Sequence, residues 1–136
     1  MNIVLVGAGG TGLSSLGFLF HDLGITDVVC IDSAQNQITD ALSAHGYKVI
    51  IGHNKYTVKP TDFVIYSDAC PTAPEVLAAK KHAEENTRKP RHPMSYFQFL
   101  GEISKYFETI AIAGTHGKST TTALATYTLS QLDSTL

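Results

Sequence analysis

Ile3-Val4-Leu5-Val6-Gly7-Ala8-Gly9-Gly10-Thr11-Gly12 is an apolar run followed at once by G-x-G-x-x-G. A run that is apolar at every position, not at alternate ones, suits a central parallel strand covered on both faces. Glycines after such a strand let backbone amides come close to a diphosphate, and the helix that follows adds free N–H groups and a positive end. Strand, tight loop, helix is therefore the opening unit of a doubly wound α/β sheet.

Outward from this stretch, Leu16, Leu19, Phe20 and Leu23 recur at helical spacing, predicting a helix that turns them inward, with Gly24 as its C-cap. Val28 to Ile31 reads as a second strand stopping at Asp32, and a short helix is expected from about Asn36 to Ala44. Strands are expected at Lys48 to Ile51 and Phe63 to Tyr66. Pro74 and Glu75 suit a first helical turn, because proline has no amide to leave unpaired and an acid favours that end. That helix is expected to carry Val76, Leu77 and Ala79 inward and to run towards Glu85. Glu84 to Pro93 reads as a polar loop or short edge element, with a further helix from Pro93 through Phe97, Leu100 and Ile103. Thr109 to Ala113 predicts a new strand, followed by a second glycine loop and a helix from about Lys118.

The expected fold class is thus α/β: a Rossmann-like parallel sheet flanked by helices over residues 1–107. Residues 108–136 would then be the first strand, P-loop and helix of an incomplete ATP-binding domain. With a formal charge of −2, a bound anion has to be held by local donors and not by an overall positive field. Cys30 and Cys70 are the only cysteines and are expected to be buried reduced thiols. No apolar stretch approaches the ~20 residues that span a bilayer, so a cytoplasmic protein with small-molecule partners, and neither nucleic acid nor membrane, is expected.

The first loop leaves its ligand open. Asp32, ending the second strand, stands where an acid accepts hydrogen bonds from the ribose of a dinucleotide, so an NAD-binding oxidoreductase domain and another diphosphate site both fit. The second loop, Gly114-Thr115-His116-Gly117-Lys118-Ser119-Thr120, ends in the G-K-[ST] of a triphosphate loop. There lysine reaches the β and γ phosphates and the hydroxyl ligates Mg²⁺. His116 is read equally as a phosphate-orienting group or a loop spacer. A non-catalytic nucleotide sensor is the other reading.

The run from Gly114 to Thr122 resembles the ATP loop of the Mur ligases, and its Thr115-His116-Gly117-Lys118 core is similar to that of the alanine-adding branch and of the murein peptide ligase. Gly7 to Ser14 resembles the family's UDP-sugar loop; Gly52-His53, Tyr66-Ser67-Asp68-Ala69, Pro74-Glu75 and Arg91 match further segments. Ala8, Thr11, Leu13, Asp68, Ala73 and Ser119 depart from the commoner residues, Thr11 to Ser14 being similar to the D-glutamate-adding relative.

The resemblance implies that Gly9, Gly10, Thr11 and Gly12 hold UDP-N-acetylmuramate, with Asp32 near the uridine and His53, Ser67 and Arg91 towards the sugar diphosphate. It implies ATP on Gly114, Thr115, His116, Gly117, Lys118, Ser119 and Thr120, with Lys118 catalytic and Ser119 on Mg²⁺. The reaction implied joins L-alanine to the muramate through an acyl phosphate. Because the family has a larger central domain and a C-terminal domain, this length of chain is expected to bind the UDP-sugar without turning it over.

Overall fold

A computed structural model describes residues 1–86, 88 and 90–133. The chain divides into two compact units, Met1–Ile103 and Ser104–Leu136.

In the first unit, β1 (Ile3–Val6), β2 (Val28–Asp32), β3 (Lys48–Ile51), β4 (Phe63–Tyr66) and β5 (Met94–Ser95) form one parallel sheet in the order β3-β2-β1-β4-β5. The helices are α1 (Thr11–Asp22), α2 (Gln37–Ala44), α3 (Pro74–Glu85) and α4 (Tyr96–Ile103). Alternation along the strands feeds two cores, as the two-residue period requires. Leu5, Val28, Cys30 and Ile65 pack with Leu13, Leu16, Phe20 and Leu42 on one face. Val4, Val6, Val29, Ile31 and Val64 pack with Val76 and Ala79 on the other. Hence the unbroken apolar runs: each face of each strand has a core to enter.

Glycines stop the first two helices. Gly24 (φ +72°) donates to the His21 carbonyl and Ile25 to that of Phe20. Gly46 (φ +88°) and Tyr47 repeat the pattern on Ser43 and Leu42. A left-handed residue in each position lets two terminal carbonyls find amides.

Several expectations are corrected. On α1, Leu13, Leu16 and Phe20 are buried while Leu19 is 41% and Leu23 61% exposed. The inward stripe starts one turn earlier than the leucine spacing suggested, with Gly17 letting Leu42 of α2 press close. On α3, Val76, Ala79 and Ala83 face inward and Leu77 is 50% exposed. A helix turns by about 100° per residue, so neighbours at 76 and 77 cannot share a narrow buried stripe. The helix expected from Pro93 begins at Tyr96, because Met94 and Ser95 first pair with Ile65 and Tyr66 as an edge strand. Ser95 then caps it: the Gln98 amide reaches Ser95 Oγ at 3.4 Å, and the Ser95 amide reaches Gln98 Oε1 at 2.8 Å, a reciprocal S-x-x-Q box.

The second unit contains a 3-10 turn at Ser104–Tyr106 and α5 (Lys118–Asp133). Residues 109–113, expected as a strand, pair with no strand among the described residues. An extended segment becomes a strand only when a neighbour takes up its backbone groups. Leu124, Tyr127, Leu129 and Leu132 of α5 are all at least half exposed. Residues 134–136, the last of the segment expected to open an ATP-binding domain, lie outside the described residues.

Candidate functional site

The strand order reverses at β1, since β2 and β3 lie to one side and β4 and β5 to the other. In such sheets the crevice opens at the carboxyl ends of the strands at this switch point. Here Gly7 has φ +89°, and a Cβ would come within 2.8 Å of Ser67 Cβ and 3.0 Å of Cys70 Sγ, so only glycine lets β1 turn beside β4.

Loop amides are largely engaged inside the protein. Gly7 and Ala8 donate to the Ile31 carbonyl at 2.8 and 3.1 Å, and Gly10 to that of Gly7 at 3.2 Å. Gly9 donates to Asp32 Oδ2 at 2.7 Å, while Asn36 Nδ2 donates to the Gly9 carbonyl at 3.2 Å. Asp32 Oδ1 accepts from the Ala34 amide at 3.1 Å. The groove-facing donors are therefore those of the first turn of α1, Thr11 to Leu13. Gly10 is the N-cap there and no side chain caps the helix, so these amides have no intrahelical acceptor.

Two clefts open on this helix end. The larger, about 450 Å³, is lined by Gly10, Thr11, Gly12, Ser67, Asp68, Tyr96 and Phe97 among others. The smaller, about 260 Å³, is lined by Gly10, Asp32, Ser33, His53 and Ser67 with Ala69 and Cys70. Gly7, Gly10 and Ser67 belong to both, so they are two lobes meeting at the amino end of α1. Gly12 packs under Tyr96, whose ring would lie 3.1 Å from an added Cβ.

Of the residues singled out in the sequence, Gly10, Thr11, Gly12, Asp32, His53 and Ser67 line this groove. Gly9 lies behind it, held by Asp32 and Asn36. Arg91 is not brought to it: the guanidinium contacts Met1 Sδ at 2.9 Å. Residues preceding β1 and β5 lie at the amino ends of parallel strands, opposite the crevice. Asp68, Tyr96 and Phe97 were missed as site residues. The Ser95-x-x-Gln98 box was the available signal for the two aromatics, since it starts a helix beside β4.

His53 is anchored from below. Its Nδ1 lies 2.9 Å from Oε2 of Glu75, whose other oxygen accepts from the Asn54 amide at 2.8 Å. Glu75 is only 2% exposed. Burial pushes the Cys30 thiol up to about 12; Cys70, expected to be buried, is half-buried and lines the smaller lobe, where partial burial raises its thiol and Sγ lies 3.4 Å from the Val6 and Ser67 carbonyls.

The second unit presents its own loop. Gly114 (φ +153°) and Gly117 (φ +78°) occupy conformations that side chains rarely adopt, and α5 starts at Lys118. Lys118 Nζ donates to the Gly114 carbonyl and, at 3.5 Å, to that of Thr115. The ammonium thus spans the mouth of the loop, beside exposed Thr115, His116, Ser119 and Thr120. His116 Nδ1 lies 3.3 Å from Thr115 Oγ1. A positive helix end, two glycines at positive φ and a lysine fit phosphate oxygens. For Mg²⁺, Ser119 offers one hydroxyl, and among the described residues no group of three His, Cys, Asp or Glu stands ready to hold a metal. One protein oxygen with phosphates and waters is within the coordination habits of Mg²⁺.

The model described as "Mur ligase family, catalytic domain" matches residues 2–108. The UDP-N-acetylmuramate–L-alanine ligase of Clostridium perfringens is 36% identical over 124 residues, and those of Chromobacterium violaceum and Neisseria gonorrhoeae are each 40% identical over 124 residues. Each alignment covers 90% of this chain and 25% of the relative, so the chain spans about a quarter of their length. The crystal structure of UDP-N-acetylmuramate-alanine ligase MurC from Thermotoga maritima superposes with a TM-score of 0.79 at 25% identity, covering 98% of this chain and 30% of that one.

Proposed function

Because the chain belongs to the Mur ligase family, we propose that it is the UDP-sugar-binding part, with the ATP loop attached, of an enzyme joining L-alanine to UDP-N-acetylmuramate in peptidoglycan synthesis. The observation that carries this reading is the uncapped amino end of α1, open to a two-lobed groove. A diphosphate suits the junction, where amides and the helix dipole favour negative charge. The nucleoside would enter the smaller lobe beside Ser33 and His53, and the sugar the larger one beside Asp68, Tyr96 and Phe97. Asp32 and Gly9 would shape the loop from behind.

The reaction class is ATP-dependent ligation. A carboxylate oxygen is a poor leaving group, so phosphoryl transfer to the muramate carboxylate would create an acyl phosphate for the amine of alanine to attack. Lys118 would neutralise phosphate charge as it shifts, an electrostatic and not a nucleophilic role. Ser119 would supply one ligand to Mg²⁺, which would screen the phosphates. The reading places the protein in the cytoplasm with its nucleotide substrates; among the described residues no helix is long and apolar enough to cross a membrane.

An NAD-binding domain would use Asp32 to accept a ribose diol; each of its oxygens here accepts one loop amide and keeps a further lone pair, so the ligand itself has to decide. A thermal-shift series with UDP-N-acetylmuramate, NADH and ATP separates the readings, since a ligand stabilises only the state that binds it. Stabilisation by the UDP-sugar and not by NADH is expected; the reverse would reject the proposal. In a longer chain carrying the remaining domains, Lys118→Ala should abolish most ligation while leaving UDP-sugar affinity intact.

A further inference from the structure

Glu75 is a carboxylate sealed from water at the start of α3, and it is hydrogen-bonded to the groove-lining His53. Burying a charge is costly unless hydrogen bonds replace the lost water. Two do so here: the Asn54 amide to Oε1 and His53 Nδ1 to Oε2. Asn54 holds a positive φ of +61° to direct its amide there. With Glu75 ionised, its oxygens can only accept, and the 2.9 Å contact at Oε2 then requires the proton to lie on Nδ1 of His53. The ring is 29% exposed and lines the smaller lobe, leaving Nε2 as its free nitrogen.

We infer that Glu75 is a positioning residue that fixes the tautomer and orientation of His53, so that Nε2 accepts a hydrogen bond from an N–H or O–H of the bound nucleoside. The inference rests on the proposed UDP-sugar site for the identity of the ligand. Its physical basis is the rule that the proton on one ring nitrogen is set by the partner of the other. A histidine free to choose would divide itself between tautomers and ring orientations, and only part of that population would present a lone pair to the ligand.

Glu75→Gln tests this with little change of shape. The glutamine has one carbonyl oxygen, which the Asn54 amide claims. Its NH₂ then faces Nδ1, which must become an acceptor, and the proton moves to Nε2. With ¹⁵N-labelled histidine, the ligand-free wild-type chain should show His53 protonated on Nδ1, and Glu75→Gln should show Nδ1 bare. Wild-type His53 with Nδ1 bare, or averaging between tautomers, would overturn the inference.

Calorimetry with UDP supplies the second arm. Glu75→Gln should bind UDP about tenfold more weakly, the loss of one hydrogen bond. In a His53→Ala background the same change should cost nothing further, because Glu75 acts through the ring. An equal loss in both backgrounds would mean that Glu75 only supports the fold, and would reject the inference. UDP methylated at uracil N3 identifies the donor: the Glu75→Gln penalty disappears if the ring N–H is read and persists if a ribose hydroxyl is. Should Glu75→Gln fail to fold, the wild-type spectrum and the His53→Ala affinity decide. If wild-type protein binds no UDP-sugar, the functional reading fails, and the ligand-free spectra still judge the tautomer.

Discussion

Gly9 and Gly10 are adjacent and chemically identical, yet they meet different surroundings. A Cβ on Gly9 would sit 2.7 Å from Asn36 Nδ2 and 2.9 Å from Asp32 Oδ2, whereas on Gly10 it would meet only the Gly7 carbonyl at 3.5 Å. Gly9→Val should therefore lower stability by about 1–3 kcal/mol, the usual cost of overpacking, and weaken UDP-N-acetylmuramate binding by deforming the loop. Gly10→Ala should fold normally and still lose affinity, because its methyl enters the groove. Urea unfolding and calorimetry on the two variants check the contrast; equal stability losses would contradict it. Cys30 gives a second test at this scale. Burial pushes its folded-state thiol up to about 12 from an ordinary 9.0, so the protonated folded form is favoured and its contribution is complete below pH 9. Above that the unfolded chain ionises first, and stability falls by about 1.4 kcal/mol per pH unit until about 12. Burial also raises Tyr47 and Tyr56, adding to the same trend. The melting temperature of Cys30→Ala should thus decline less steeply than that of the wild type from pH 9 upward.

Among the elements, α2 links local structure to the groove through its cap. Asn36 Oδ1 accepts from the amides of Ile38 and Thr39 at 2.9 Å each, Thr39 Oγ1 accepts from the Asn36 backbone amide at 2.8 Å, and Asn36 Nδ2 donates to the Gly9 carbonyl. Asn36→Ala should cost about 1–2 kcal/mol for the lost cap. It should also release Gly9 on one side, so UDP-sugar affinity should drop although residue 36 lies behind the groove. Denaturant midpoints and calorimetry measure the two effects; a stability loss with unchanged affinity would confine Asn36 to helix capping. Along α3 the ordering is simpler: Val76 is fully buried and Leu77 half exposed, so truncation at 76 is the costlier of the two.

At the scale of the molecule, the two units differ in what they bury. Met1–Ile103 has a core on each face of its sheet, whereas α5 in the second unit exposes Leu124, Tyr127, Leu129 and Leu132. A helix without a buried face draws little stability from packing, which is where most helical stability in proteins originates. Limited proteolysis should therefore cut residues 104–133 readily and leave a resistant product ending near Ile103, detectable by mass spectrometry. An assay with UDP-N-acetylmuramate, L-alanine, ATP and Mg²⁺ should find no amide formation by the 136-residue chain, in contrast to a longer chain with the remaining domains. Turnover by the short chain would overturn the proposed division of labour.

The sequence by itself determined the central strands, the opening glycine loop and the order of the helices. Runs such as Val4-Leu5-Val6 and Val28-Val29-Cys30-Ile31 can be satisfied only by cores on both faces, and Gly24 and Gly46 mark helix ends by local conformation alone. These signals lie within a few residues of the elements they specify. Tertiary structure decided what local patterns cannot encode. Whether Leu13 or Leu23 enters the core depends on where α2 crosses α1, and whether Met94 and Ser95 form a strand depends on the free edge of β4. The contacts around the groove are set the same way: Gly9 is tied to Asp32 across 23 positions, Glu75 to His53 across 22, and Arg91 is carried to the opposite end of the sheet. The reason is physical: a hydrogen bond between distant residues depends on the packing that brings donor and acceptor together, and no spacing along the chain records that distance.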